Sequence, residues 1–460
     1  MKTYDYGIIG AGIDGLTFAD TILTHSDRTI AIIESAAHSI RSQRRDMFLV
    51  SRALTDDRIG LTSYTLKDWR EAFHRARIGR LPTPVELQAY REYVLDTRLA
   101  RSGRLERLGD VDYLGNNRFR SRSSSGNPQP IIRRSIVNST HGSQPNQPSC
   151  GRSFTVASSV HVVKPSILRA HAEMKHRTFD RYCVIGAGPV GIEVMLALID
   201  LDIPTEKINW VKPREGWTLA PTSPKAPKNL QKEALTAMAH ARTAADLSQR
   251  LEHLGLLTRA TDDQVPTHFV PHMVTQKDAQ KLRQVKGVIR KGHVHAISEI
   301  GMVLSHGAVP MPRRTLYLDC TGHGKRRGET PDVFTKGQIE LSQIRLSHPS
   351  FSAALIGAIE LSDLTAPQKN ALCTPIHGSN LALCFLTSLL NHHAWFYNRN
   401  IRRWLETCRL DPVLRATAQR LNAFEDVPAD LSAVRAVLPR AIVNLESLVE
   451  QTGAVDPLRA

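Results

Sequence analysis

The amino-acid sequence predicts an α/β chain of two three-layer ββα/βα units, the second inserted in the first, with a helical C-terminal region. Three observations predict it. An apolar strand pattern runs into a glycine-rich turn and a helix pattern twice, in YGIIGAGIDGLTFA and in YCVIGAGPVGIEVM. Each helix pattern is followed by another short apolar strand, Thr29 to Ile33 and Ile208 to Val211. Beyond residue 350 the apolar residues recur at helical spacing, with no third glycine turn. One such turn is weak evidence, whereas two in strand–turn–helix context point to two Rossmann-like dinucleotide pockets. The expected organisation is residues 1–160 as the first part of one nucleotide domain, 161–313 as the second domain, and 314–460 as the return to the first domain plus the helical region.

Length and composition allow this. A chain of 460 residues with 41% apolar content can bury two or three cores. The first strand is expected to begin near residue 5, so no leader peptide is expected. No run of 18 uncharged apolar residues is present, so no membrane span is expected. The six cysteines include no C-x-x-C pair. That removes support for a dithiol, a disulfide framework or a metal cluster, and the cytoplasm is the expected compartment. The net charge of +16 raises the question of nucleic acid. The basic residues are scattered in small groups, such as Arg44-Arg45, Arg133-Arg134 and Lys325-Arg326-Arg327, without interleaved aromatics. A cationic surface that meets phosphates or an anionic small molecule is the simpler expectation, and no nucleic-acid partner is expected.

In the first fingerprint, Tyr6 to Ile9 is apolar throughout, as a buried parallel strand is. Gly10 permits the tight turn, Gly12 lets a pyrophosphate approach the backbone, and Gly15 permits close helix–strand packing. The helix from about Ile13 to Leu23 then points its free N–H groups at the phosphates. The next strand ends at Glu34, where an acidic residue accepts hydrogen bonds from ribose hydroxyls and repels a 2′-phosphate. This pocket therefore suits FAD or NAD. The competing reading of Glu34 is an ordinary glutamate closing a strand.

The second fingerprint repeats the roles at Gly186, Gly188 and Gly191, with Pro189 at a helix start, where its missing N–H costs nothing. Met195 stands where a small residue would bring the helix closest to the sheet. After the strand Ile208 to Val211 come Lys212, Pro213 and Arg214 in place of an acidic residue. Basic groups there pair with a 2′-phosphate, which favours NADPH over NADH. A solvated Lys–Arg pair is the alternative.

Elsewhere the signals are coarser. Glu86 to Val94 reads as a helix within LPTPVELQAYREYV. Residues 121–152 read as a loop excursion, at most one weak hairpin around Ile131 to Val137. Leu230 to Leu256 is helix-rich. The run TLYLDCTGHG places a strand at Thr315 to Leu318, with Asp319, Thr321, Gly322, His323 and Gly324 in the turn after it. Asp319, Thr321 and Gly322 are candidate cofactor contacts. His323 has an ordinary pKa near neutrality and is a candidate acid or base, with a structural turn histidine as the alternative. Helices are expected over Phe351 to Leu361, Leu381 to Cys408 and Pro412 to Asn422.

With GAGIDG and Glu34, GAGPVG and INWVKPRE, and LYLDCTGHG, the chain resembles the two-dinucleotide-binding-domain flavoproteins. It looks most like the class B flavin monooxygenases and their FAD/NAD(P)-binding relatives. LPTPVELQAY is partly similar to a segment of ornithine and lysine N-hydroxylases, which carries an arginine where Pro84 stands. The chain lacks the Gly-Gly-x-Trp and FxGxxxHxxxW stretches of the Baeyer–Villiger and flavin-containing monooxygenases. The resemblance implies FAD in the first site and NADPH in the second, with hydride passing from nicotinamide to flavin. It further implies that oxygen adds at flavin C4a and is transferred to a small-molecule substrate. Reduction of an acceptor or oxidase chemistry without oxygen insertion, or a non-catalytic flavin-binding role, are the alternatives.

Overall fold

The computed structural model describes residues 2–34, 55–73, 84–121, 130–139, 153–165, 179–221, 229–321, 331–376, 378–423 and 429–452. Four parallel strands carry the first sheet: β1 (Thr3–Ile9), β2 (Ile30–Glu34), β3 (Leu105–Gly109) and β4 (Ile131–Asn138). Their spatial order is β4-β1-β2-β3, and Gln338–Glu340 adds in parallel outside β4. Phe334–Thr335 closes that edge antiparallel. Every residue of β2 is buried, so its run of isoleucines serves both faces of the sheet. On one face Tyr6, Ile8, Ile30 and Ile32 pack with Leu16, Phe18 and Ile22 of helix α1 (Ile13–His25) and with Leu87, Tyr90 and Val94 of α2 (Pro84–Val94). On the other, Tyr4, Ile9, Ala31 and Ile33 pack with Val111 and Phe119 of the hairpin formed by Val111–Gly115 and Arg118–Ser121.

The second sheet is also parallel. Its strands are β5 (His161–Val163), β6 (Arg181–Ile185), β7 (Ile208–Val211), β8 (Gly287–Ile289) and β9 (Thr315–Asp319), in the order β8-β7-β6-β9-β5. Alternate residues of β6 face opposite layers. Val184 joins α3 (Pro189–Asp200) and the helix Gln276–Arg283 in one core. Cys183 and Ile185 join Met302, Ile297 and Phe154 in another, beneath a sheet of Thr155–Val156, Val294–Ser298, Gly301–Leu304 and Gly307–Pro310. Both units thus have the three-layer ββα arrangement.

Between β7 and β8 the chain inserts a three-stranded sheet (Gly216–Leu219, Leu257–Arg259, His268–Met273) and two helices, Leu230–His240 and Ala244–His253. Its core of Trp217, Leu247, Leu251 and Phe269 is completed by Leu386 of α5 (Leu381–Tyr397), past α4 (Pro349–Glu360), and by Leu445 of α6 (Ala429–Gln451). The helical C-terminal region is therefore divided. Helix α4 returns to the first unit, where Gly357 lets it approach α1: a Cβ there would lie 3.1 Å from that of Thr21. The helices α5 and α6 cover the insertion.

Three expectations change. Ile131–Asn138 is no loop excursion but an interior strand between β1 and Gln338–Glu340. Its partners are remote in sequence, and the Ser/Gly/Pro-rich flanks masked its apolar alternation. The crossing back to the first sheet falls after β9 rather than at residue 314, because Thr315–Asp319 pairs with β6 and β5. Likewise Thr155–Val156 already pairs with Val294–Ser298, so the second unit begins before residue 161. Among the described residues no helix is long and apolar enough to cross a membrane.

Candidate functional site: two glycine turns at the ends of parallel strands

The first turn leaves β1 at Ile9. Gly10 has φ 91°, a left-handed conformation that favours glycine, and its N–H donates to the Ile33 carbonyl at 2.9 Å. Gly15 sits where a Cβ would lie 2.9 Å from Ser139 Oγ and 3.0 Å from the Gly10 oxygen, so helix and strand meet here without a side chain between them. Gly12 differs. Its φ of −64° and ψ of 160° suit any residue, and a Cβ would meet nothing within 4 Å among the described residues. Glycine at this position is not required by the protein's own packing. The open volume lies at the N-terminus of α1, where free N–H groups and the helix dipole attract an anion.

Glu34 closes β2 at the same edge and is 1% exposed. Arg107 of β3 donates from Nε to its Oε2, while Oε1 is buried without a hydrogen-bond partner among the described residues. A buried carboxylate oxygen with no donor is costly, and a ribose hydroxyl is the donor that a dinucleotide brings to this point. The residues present therefore fit the adenosine half of FAD. Arg91 of α2 lies beneath the turn, 4% exposed, and donates from Nε at 3.0 Å and from Nη2 to the Ala11 carbonyl. Burial pulls its pKa down to about 10, opposed by the nearby carboxylate of Glu34, so it stays cationic at neutral pH.

Sequence reasoning missed Arg91, Arg107 and Ser139. Arg91 carried a signal. It stands four residues after Leu87 and three before Val94, on the apolar stripe of its helix, where a charged residue needs a buried partner. Arg107 and Ser139 carried none, since each acts through a strand pairing that only the fold reveals.

The second turn repeats the geometry. Gly186 has φ 121°, and a Cβ there would lie 2.8 Å from the Cys320 carbonyl oxygen. At Gly191 a Cβ would lie only 2.1 Å from the Gly186 oxygen. At Gly188 a Cβ would again meet nothing within 4 Å among the described residues. Met195 is fully buried in the core that the helix shares with the sheet. Asp319 and Thr321 flank this second turn, not the first. Cys320 N–H donates to the Ile185 carbonyl at 2.9 Å, and Asp319 Oδ1 accepts from Thr321 N at 3.1 Å and from its hydroxyl at 2.5 Å. Gly322 and His323 lie outside the described residues.

The structure separates the two basic residues at the end of β7. Lys212 is 2% exposed. Its ammonium donates to Glu215 and stands 4.4 Å from the centre of the Trp210 ring. Glu215 also accepts from Arg290 at 2.7 Å, and Arg290 reaches Asp263 at 2.8 Å. Burial alone would raise the Glu215 carboxyl, but Lys212 and Arg290 outweigh it and hold the group below its ordinary range. Arg214 is exposed at the open edge.

A further polar cluster lies at the start of α4, which begins at the same end of the first sheet as α1. The Gly60 carbonyl accepts from Thr17 of α1 at 2.9 Å, and the Gly60 N–H donates to Ser350 of α4 at 3.3 Å. Arg58 Nη1 donates to His348 Nε2 at 2.9 Å, and His348 Nδ1 donates to the Leu346 carbonyl at 2.8 Å. His348 is 6% exposed. Burial, reinforced by Arg345, pushes its pKa down to about 4, so the imidazole is neutral at physiological pH.

No protein-family model matches the chain. Three uncharacterized mycobacterial proteins, Mb2023 of Mycobacterium bovis and MT2056 and Rv2000 of Mycobacterium tuberculosis, are each 29% identical to it over 431 residues, spanning 88% of this chain and 77% of theirs. Among solved structures it is similar to L-lysine 6-monooxygenase from Pseudomonas syringae, at 15% identity and a TM-score of 0.44 over 77% of this chain and 97% of that one. It is also similar to an oxidized steroid monooxygenase bound to NADP, at 14% identity and a TM-score of 0.45 over 97% and 98% of the two chains. The cadaverine monooxygenase DfoA of Erwinia amylovora, bound to FAD, matches at 12% identity and a TM-score of 0.42 over 81% and 93%.

Proposed function

We propose that this chain is an FAD-dependent oxidoreductase reduced by NADPH, and that it oxygenates a small molecule. The observation that carries the cofactor reading is the pair of glycine turns, open at Gly12 and Gly188 and closed at Gly15 and Gly191. The asymmetry of their rims supports FAD in the first turn and NADPH in the second. Glu34, with one buried oxygen lacking a donor, suits an unphosphorylated adenosine ribose and rejects a 2′-phosphate. Arg214, exposed at the end of β7, suits a 2′-phosphate. Lys212 supports that edge from below through Glu215 rather than reaching a ligand itself.

A bound flavin would supply the redox chemistry, accepting two electrons from nicotinamide and passing them to oxygen or another acceptor. The chain's own part is to hold and to shield. Gly10 to Gly15 and the start of α1 hold the pyrophosphate, and Glu34 holds the ribose. Gly186 to Gly191, with Asp319 and Thr321 alongside, form the second cradle. The neutral His348 and Arg58 at the start of α4 offer polar contacts without a titrating proton near pH 7.

The test is purification with bound flavin, followed by NADPH consumption under labelled oxygen with candidate amines, ketones and anionic small molecules. Label incorporated into an organic product supports oxygenation. NADPH consumption that yields only hydrogen peroxide or a reduced acceptor replaces it with the reductase or oxidase reading. A protein that cannot be loaded with FAD removes both.

A further inference from the structure

We propose that Arg91 is a positioning residue for the pyrophosphate: it presets the glycine turn by pinning the Ala11 carbonyl, so that the Gly12 N–H faces the ligand. The inference rests on the first turn being a nucleotide site. The Ala11 carbonyl accepts two bonds from one buried guanidinium. The peptide joining Ala11 to Gly12 is trans, and in a trans peptide the C=O and N–H point in opposite directions. Holding the oxygen toward α2 therefore holds the Gly12 N–H toward the open space at the start of α1.

The pin is needed because of its neighbours. Ala11 lies between two glycines, whose backbones reorient at little steric cost. A rotated 11–12 peptide would offer a carbonyl oxygen to the phosphates in place of an N–H. Helix α2 fixes Arg91 in turn, since Leu87, Tyr90 and Val94 are buried in the same core as α1. The charged groups around the guanidinium include Glu34, Glu92, Asp14 and Arg107. The carboxylates balance it, so it is retained beneath the turn instead of competing for the ligand.

The test compares wild type with Arg91→Met and Arg91→Lys, by calorimetry with ADP and with adenosine and by the Gly12 amide resonance of glycine-labelled apoprotein. R91M is expected to bind ADP at least tenfold more weakly, to bind adenosine as wild type does, and to show a shifted or broadened Gly12 resonance before any ligand is added. R91K, which keeps one donor, is expected to fall between. Unchanged ADP binding in R91M overturns the proposal. Weakened ADP binding with an unmoved Gly12 resonance also overturns it, because the arginine would then act as a charge and not as a pin. If R91M does not fold, R91K decides: binding weaker than wild type with a moved resonance supports the pin, and wild-type behaviour in both overturns it. Wild type that fails to bind ADP refutes the nucleotide site itself.

Discussion

Replacing Gly12 by alanine separates a glycine kept for a ligand from one kept for the fold. At Gly12 the backbone already occupies a region open to alanine, and the added methyl meets nothing within 4 Å among the described residues. Restricting the unfolded chain stabilises by about 0.4–1 kcal/mol, while alanine at a helix N-cap costs about 1 kcal/mol against a good cap. These offset, so Gly12→Ala should change stability by less than about 1 kcal/mol. The methyl would stand where phosphate oxygens reach the amides. Losing one charge-assisted hydrogen bond of roughly 1.5–3 kcal/mol weakens ADP or FAD roughly ten- to a hundredfold. Gly191→Ala is the contrast. Its methyl would lie 2.1 Å from the Gly186 oxygen, and overpacking against backbone costs about 3 kcal/mol. Urea unfolding and calorimetric titration with ADP measure the two effects. An unchanged ADP affinity in G12A, with stability intact, refutes the assignment of this open volume to phosphate.

Three further outcomes follow from the same geometry. Arg214→Ala should raise the NADPH Kd about tenfold and leave that of NADH unchanged, whereas Lys212→Ala should act on folding, because breaking a buried ion pair costs about 3–5 kcal/mol; titrations with both nicotinamides and urea unfolding distinguish the two. Glu34→Ala should weaken ADP about tenfold without altering the affinity for an analogue lacking both ribose hydroxyls, and calorimetry with the pair of ligands checks this. His348 has a folded-state pKa of about 4, against an unfolded value of about 6.5. The unfolded chain therefore binds the extra proton first, and the stability held above pH 6.5 is lost as pH falls toward 4, to the extent of about 3 kcal/mol. His348→Gln should remove that dependence in unfolding titrations at pH 7 and pH 4.5.

The two glycine turns were legible because their requirements are local. A strand, three glycines and a helix start lie within fifteen residues, and backbone geometry alone dictates Gly10, Gly15, Gly186 and Gly191. The place of Glu34 at the end of β2 was legible because its distance from the turn is set by one helix. Some of what escaped was set by remote pairing, and some by local features that the apolar pattern does not show. Ile131–Asn138 looks like loop until β1 and Gln338–Glu340 flank it. Lys212 looks like a phosphate ligand until Glu215, three residues on and beyond a proline and an arginine, folds back to take its ammonium. The long expected helix from Leu381 to Cys408 breaks at Asn398, whose side chain accepts from the N–H groups of Asn400 and Ile401 and starts a new helix at Arg399. The helix Ala429–Gln451 carries Pro439 in its interior, which hides it from a pattern search.

The central claim is that electrons enter at the Gly186 turn and are held at the Gly10 turn. Anaerobic mixing of the flavin-loaded protein with NADPH tests it most directly, with the visible flavin absorbance as the signal. The account predicts that NADPH bleaches the flavin and that NADH does so more weakly. A flavin that stays oxidised with both nicotinamides contradicts it.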